Sequence, residues 1–296
     1  MSEKALLFVH ALTSLHPGSG TALGVVDLPV QRERHTDWPL IPGSSLKGIL
    51  RDACRRKNGD NNELYAVFGP KTEEAGEHAG ALSLTDARIL AFPVRSLRGV
   101  FAWVTCAAVL ERLNRDLSLT GTAGLQGIAK PEKEKAACNG NDLLVDGNKL
   151  VLEEFEFTRT QEGAGSVADW VAGHATEDKP TRDRIRTHLA VLHDDDFTHF
   201  VRHATEVVAR VGLNYERKTV KEGALFYEEF LPAETLFYSV VIAEDSRRKG
   251  LKEKSVEKNA KETLQYAKDN VPGFLQIGGN ETIGKGLCAV RWFPSA

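Results

Sequence analysis

The chain has 296 residues, 42% of them hydrophobic, which is enough for a large buried core in one or two domains. A formal net charge of −3 and a pI near 6.3 exclude a generic, strongly basic nucleic-acid binder, so any basic surface must be local. Four scattered cysteines without a C-x-x-C pair exclude a zinc knuckle and a disulfide framework; the start Met1-Ser-Glu-Lys4 carries no signal-peptide pattern and no apolar run approaches the ~18 residues of a membrane helix, so the cytosol is the expected compartment.

Ala5 to Thr13 is a continuous apolar run that predicts a buried first strand. A polar, glycine-rich connection follows from His16-Pro-Gly-Ser-Gly20 to Pro42, longer than most links between elements and therefore a place to look for function. Leu46, Ile49, Leu50, Ala53 and Cys54 fall at helical spacing, which predicts a helix opened by Ser44 as its N-cap. Strands are expected at Ala81 to Phe92 and Val100 to Cys106, then a helix at Val109 to Leu117. Gly121 to Asp142 is poor in large apolar residues, and Gly163 to Arg182 is a second polar stretch around a short helix at Val167 to Ala172. Both read as inserted or mobile segments, 121–142 and 163–182, of a single domain spanning 1–296. Between them Asp146-Gly147 joins Leu143–Val145 to the alternating Leu150–Phe157, a hairpin signal. The last third gives strands at Glu206 to Tyr215, Ala224 to Leu231 and Thr235 to Ile242, and a helix from Ser255 to Asn270 with Val256, Ala260, Leu264 and Ala267 inward. Strands at Phe274 to Ile277 and Leu287 to Phe293 close the chain, and the mixture indicates an α+β fold.

Between those last strands, Gly278, Gly279, Asn280, Gly284, Lys285 and Gly286 form a glycine-rich turn around a lysine, a pattern that can wrap a phosphate. Gly279 to Gly286 spells G-x-x-x-x-G-K-G, one residue away from a nucleotide-binding P-loop. Gly286 lacks the hydroxyl that would hold magnesium, and a strand rather than a helix follows it, so a nucleotide hydrolase is set aside. On the helix from Ser44, Lys47, Arg51 and Arg55 are four apart and form one cationic stripe beside the first-turn amides of Ser44 and Ser45; a phosphate backbone or plain solvent could face it. Gly48 inside that helix costs ~1 kcal/mol relative to alanine, which points to a closely packed neighbouring backbone, with the glycine loop as candidate.

Asp27 stands alone in the apolar patch Val25-Val-Asp-Leu-Pro29, either a turn former or a metal ligand or phosphate-positioning group. His16 could give a proton or touch a phosphate, or be structural. Glu228 and Glu229 are adjacent on an expected strand and so point to opposite faces; one can serve a site, and the other is expected in solvent. No G-x-S-x-G elbow and no cysteine–histidine pairing is legible, which leaves metal-assisted or positional catalysis open.

Three segments carry a family resemblance: His16-Pro-Gly-Ser-Gly20 with Val25-Val-Asp-Leu-Pro29, then Ile41-Pro-Gly-Ser-Ser-Leu-Lys-Gly-Ile-Leu-Arg51, then Ile277-Gly-Gly-Asn-Glu-Thr-Ile-Gly-Lys-Gly286. Together they resemble the RAMP proteins of CRISPR systems over nearly the whole chain, and the Asp27 loop with Gly223-Ala-Leu-Phe-Tyr-Glu-Glu-Phe-Leu-Pro232 resembles the backbone subunit of type III-B (Cmr) effectors. The resemblance implies a ferredoxin-like (RRM-like) palm with inserted thumb and lid elements. It implies partners as well: a CRISPR RNA, a target RNA, further copies stacked head to tail, other Cmr complex subunits, and no membrane. Phosphate contacts summed along such a stack would offset the modest charge of each copy. The implied activity is endoribonucleolytic cutting of the target, dependent on a divalent metal (Mg2+ or Mn2+), with Asp27 as catalytic residue and metal ligand and His16, Glu229 and Glu228 as further candidates for its pocket. Ser44, Ser45, Lys47, Arg51, Arg55 and the residues of the glycine loop would hold the guide backbone. A non-catalytic backbone subunit and a metal-independent guide-processing endonuclease of the same superfamily are the alternatives.

Overall fold

The computed structural model describes residues 2–247 and 257–294. The chain begins with β1 (Glu3–Ala11), β2 (Leu40–Ile41), α1 (Gly43–Asn58) and α2 (Asn62–Phe68), followed by β3 (Leu82–Leu84), β4 (Ala87–Arg95), β5 (Phe101–Cys106) and α3 (Ala107–Leu119). Next come β6 (Lys135–Cys138), β7 (Leu144–Val145), β8 (Lys149–Leu152), β9 (Phe155–Arg159), α4 (Gly165–Ala175), α5 (Lys179–His188), β10 (Leu189–Leu192) and α6 (Asp194–His203). The remainder is β11 (Glu206–Leu213), β12 (Val220–Phe230), β13 (Leu236–Ala243), α7 (Ala260–Asn270), β14 (Phe274–Gln276) and β15 (Leu287–Phe293).

β1 is buried from Ala5 to Ala11 on both of its faces, which a continuous apolar run requires. α7 packs against β1 and β13 and also meets α1, while α4 packs against β1 and β15, with Trp170 of α4 edge-on to Phe8 at 6.1 Å. The elements β1, α1, β4, β13, α7 and β15 form a β-α-β-β-α-β unit, and the antiparallel neighbours β15-β1-β13-β4 place its strands last, first, third, second. That is a ferredoxin-like palm. The sheet continues beyond β4 through β5, β10, β6, β9, β8 and β7, and β11–β12 stands apart as a two-stranded ribbon.

Several local expectations are corrected. The segment Ala81 to Phe92 is two strands, parted at Thr85-Asp86. That break exists for a reason: the Asp86 carboxylate accepts the amide of Gly43 at 2.7 Å, so it occupies the start of α1. The N-cap is Pro42, not Ser44, and Ser44 sits exposed in the first turn. The two polar stretches contribute to the core: Leu125 and Ala129 are buried ahead of β6, and Ala164, Val167, Ala168, Val171, Ala172 and Ala175 line the inner side of α4. Small alanines hid this face because polarity was averaged over their neighbours. α7 begins at Ala260 behind a capping box of Asn259 and Glu262; Ser255 and Val256 lie outside the described residues. All four cysteines are buried free thiols, and burial pushes the thiol of Cys54 up to about 11. Among the described residues no helix is long and apolar enough to cross a membrane.

The expected role of Gly48 also changes. A Cβ built there meets nothing within 4 Å, so no backbone presses on it, and Gly48 instead lines a groove of about 600 Å3 between α1 and the Pro272–Gln276 stretch. Gly43 is the glycine that needs its small size, since a Cβ would lie 2.8 Å from the Leu84 carbonyl oxygen. Gly48→Ala should therefore raise the stability by about 1 kcal/mol, whereas Gly43→Ala should lower it by about 2 kcal/mol. Urea unfolding midpoints of the two variants check this, and the reverse order would refute the packing assigned to α1.

Candidate active site

A strand edge left unpaired must find partners for its amides and carbonyls. β12 pairs with β11 along one edge; its other edge, and Leu231 just beyond its end, take up the long loop after β1. Leu15 and Leu231 exchange both backbone hydrogen bonds at 2.8 Å. Farther along, the Leu28 amide donates to the Tyr227 carbonyl and the Glu229 amide to the Leu28 carbonyl, each at 3.0 Å. The Asp27 carboxylate accepts the Tyr227 amide at 2.7 Å. His16 places Nδ1 2.7 Å from the carbonyl oxygen of Glu229. Asp27 and His16 are thus attached two residues apart on one strand, roughly 7 Å along its axis.

The tautomer of His16 follows from its partner. A carbonyl oxygen only accepts, so Nδ1 carries the hydrogen and Nε2 is the nitrogen free to take or give a proton. Nε2 lies 3.7 Å from a carboxylate oxygen of Glu228, and the ring is buried against Phe230. A Cβ on Gly18 would come within 2.7 Å of Nε2, so the glycine keeps that nitrogen approachable.

Glu228 and Glu229 do point apart, but neither is in solvent: they are 4% and 6% exposed. Glu228 receives Asn280 Nδ2 on one oxygen and Arg210 Nε at 3.2 Å on the other. Glu229 accepts the Val30 amide at 2.9 Å and pairs with Arg32 at 2.6 Å. Arg32 also donates to the carbonyls of Asp37 and Val201, both at 2.9 Å. Glu229 is therefore an internal fastening of the loop, and Glu228 is the carboxylate beside His16. A cleft of about 650 Å3 opens between ribbon and glycine loop, lined by Leu28, Arg210, Phe226, Glu228, Asn280 and Ile283.

The glycine loop proves to be a chain crossing more than an anion cradle. The amides of Gly279, Gly284, Lys285 and Gly286 donate to the carbonyls of His16, Glu281, Asn280 and Ser14. Gly278 and Gly286 both have positive φ, and a Cβ at either would lie 2.3 Å or 2.1 Å from the carbonyl oxygens of His16 and Ile277. Lys285 turns toward Phe230, 4.8 Å from its ring centre, and Glu206 at 4.0 Å. Asn280 is the loop residue that reaches the site, through Glu228.

The α1 stripe is only partly open. Arg51 donates to the Pro70 carbonyl at 2.8 Å and Arg55 pairs with Asp52 at 2.6 Å. Lys47 is half-buried; burial and then the Arg51 charge hold its ammonium below the usual lysine range. It makes no ion pair among the described residues. The side chains of Ser44 and Ser45 are exposed on the same turn.

Among the described residues no three His, Cys, Asp or Glu side chains are grouped to hold a metal. Glu228 and Glu229 have both oxygens engaged, which leaves the second oxygen of Asp27 as the available carboxylate donor. Such a donor set fits a hard cation shared with a substrate phosphate, the common magnesium arrangement, and does not fit a closed protein cage. Sequence reasoning missed Arg210 and Arg32. Arg210 is a lone cation in the apolar run Val207 to Val211, which was a usable signal; its Nη2 is buried without a partner, at the cleft wall. Arg32 gave no local signal, because its carboxylate partner is 197 residues away.

The sequence profile of the RAMP superfamily matches residues 8–289. The chain is 42% identical over 291 residues, 96% of its length and 94% of the relative's, to the CRISPR system Cmr endoribonuclease Cmr4 of Pyrococcus furiosus. The crystal structure of oligomeric Cmr4 from Pyrococcus furiosus is similar with a TM-score of 0.75 and 33% identity, covering 98% of this chain and 97% of that one. In fold alone, a chain of the type III-B Cmr-β complex bound to cognate target RNA is similar at 23% identity, with a TM-score of 0.75 and coverage of 98% and 96%.

Arg32→Ala would leave the Glu229 charge buried without its cation. It should destabilise the protein by about 3 kcal/mol and speed hydrogen exchange at the Val30 amide. Unfolding and exchange measured together check this; an unchanged Val30 exchange rate would contradict the fastening role of Glu229.

Proposed function

The chain belongs to the RAMP superfamily, and from that premise we propose that it is a backbone subunit of a type III-B effector that binds CRISPR RNA in head-to-tail copies and cuts the complementary target RNA. The observation that carries the reading is the seating of His16 and Asp27, from the loop after β1, on β12 beside Glu228. The endoribonuclease relative and the oligomeric crystal form support it. Other Cmr subunits and the target RNA are its further partners.

In this reading the 2′-hydroxyl beside the cut attacks the adjacent phosphorus in line. Its oxygen bonds to phosphorus and loses a proton, the 5′-oxygen departs and gains one, and the products are a 2′,3′-cyclic phosphate and a 5′-hydroxyl. His16 Nε2 is the group placed to move a proton, 3.7 Å from a Glu228 carboxylate oxygen. Asp27 holds the loop against β12 with one oxygen and presents the other to the substrate. Arg210, with its unpartnered Nη2, is suited to a non-bridging phosphate oxygen. A divalent ion, Mg2+ or Mn2+, held by Asp27 and the RNA would supply charge neutralisation at the phosphate. Lys47, with Ser44 and Ser45, receives the guide backbone beside α1. A metal-independent mechanism has one observation in its favour, the free Nε2 of His16, and the chelator arm below separates the two.

In the assembled complex Asp27→Asn should reduce target cleavage by at least about 100-fold while RNA binding is unchanged. Persistent cleavage at equal binding would remove Asp27 from the mechanism. EDTA should abolish cutting and Mg2+ or Mn2+ restore it; cutting that survives EDTA favours the metal-free reading. Lys47→Ala should weaken guide binding and lower the slope of log affinity against log salt by about one for each phosphate that the lysine neutralises. A slope identical to that of the unaltered protein would take Lys47 off the guide path.

A further inference from the structure

A second recess lies away from the cleft, where the ends of β1 and β15 meet the turn between α4 and α5. It encloses about 320 Å3, and its walls include His10, Glu177, Asp178 and Glu234 together with the apolar Leu12, Phe274 and Val290. His10 is 2% exposed and holds Glu234 through Nε2 at 2.8 Å, while its Nδ1 is buried with no hydrogen-bond partner. A carboxylate accepts, so Nε2 carries the hydrogen in the neutral ring and Nδ1 is left as an unfilled acceptor. Three carboxylates share the recess with one cation, Arg291, and Arg291 is already committed to the carbonyls of Gly173 and Thr176 and to Glu177. A water molecule could answer Nδ1, but it would not answer the excess negative charge. The complement is a group that donates N–H, is positively charged and carries an apolar body.

We propose that this recess binds an alkylammonium group, its ammonium donating to His10 Nδ1 between Glu234 and Asp178 and its alkyl chain lying along Leu12, Phe274 and Val290. Hydrogen bonds from the Thr181 hydroxyl and amide hold the Asp178 carboxyl below the usual carboxylate range. Glu234 is held in place for the task. Its φ is 76, a conformation rare outside glycine, and it is pinned by its amide to the Ala11 carbonyl and by the Trp103 indole to its own carbonyl.

The test is a titration of the full chain with 1,5-diaminopentane, using 1,5-pentanediol as the uncharged match, read by the nitrogen resonances of His10. The diamine should move the Nδ1 resonance and bind at least tenfold more tightly than the diol, and Glu234→Gln should remove that preference. Equal affinity for diamine and diol, or an Nδ1 resonance unmoved by either, overturns the proposal. Should Glu234→Gln fail to fold, Asp178→Asn, whose side-chain oxygen can still cap α5, must show the same loss of preference. The source of the amine is read by sedimentation: dispersal of oligomers by saturating diamine assigns the site to a lysine of an adjoining copy, and unaltered oligomers assign it to a free amine.

Discussion

The free edge of β12 is the constraint on which the site depends. Its backbone groups from Tyr227 to Glu229, with Leu231 just beyond, require partners, and the loop from Leu15 to Val30 supplies them by running alongside as an irregular extra strand. The loop has no regular structure of its own to hold Asp27 or His16. Backbone pairing, with the Arg32–Glu229 ion pair behind it, does that work. The placement of Asp27 and His16 is thus a by-product of satisfying a strand edge.

What could be read from the amino acids tracks the range of the interaction involved. The buried β1, the apolar periodicity of α1 and the strands of the ribbon are set by neighbours in sequence, and each is found close to where its pattern puts it. The start of α1 is not, because its first amide is answered by Asp86, 43 residues onward. The burial of Glu229 was equally invisible. Alternation on a strand tells that two glutamates face apart, but only the distant Arg32 and Val30 decide that the second one is covered. α4 hides among polar letters because its inner face is largely alanine, which packs closely while adding little to a hydrophobic tally.

The glycines of the loop have a structural cause. Its glycines cluster because the chain passes within contact distance of the His16 and Ile277 carbonyls, where any Cβ would collide. Two of its amides, those of Gly279 and Gly286, serve that crossing, and those of Gly284 and Lys285 close the loop on itself. The loop still reaches the candidate site, through Asn280 and the wall it lends to the cleft. Its resemblance to a phosphate-binding turn arises from the shared need for close backbone approach.

β12 runs unbroken for 11 residues, roughly 35 Å, from the outer part of the ribbon to the active residues. Its register slips toward the outer end, where the five steps from Leu225 to Val220 on β12 face only two from Val211 to Leu213 on β11, so the extra residues lie on β12. The outer part presents Leu225, Val211 and Tyr215 to solvent. The same covalent strand carries Glu228 and the carbonyl that orients His16, so the outer ribbon and the candidate site share one backbone.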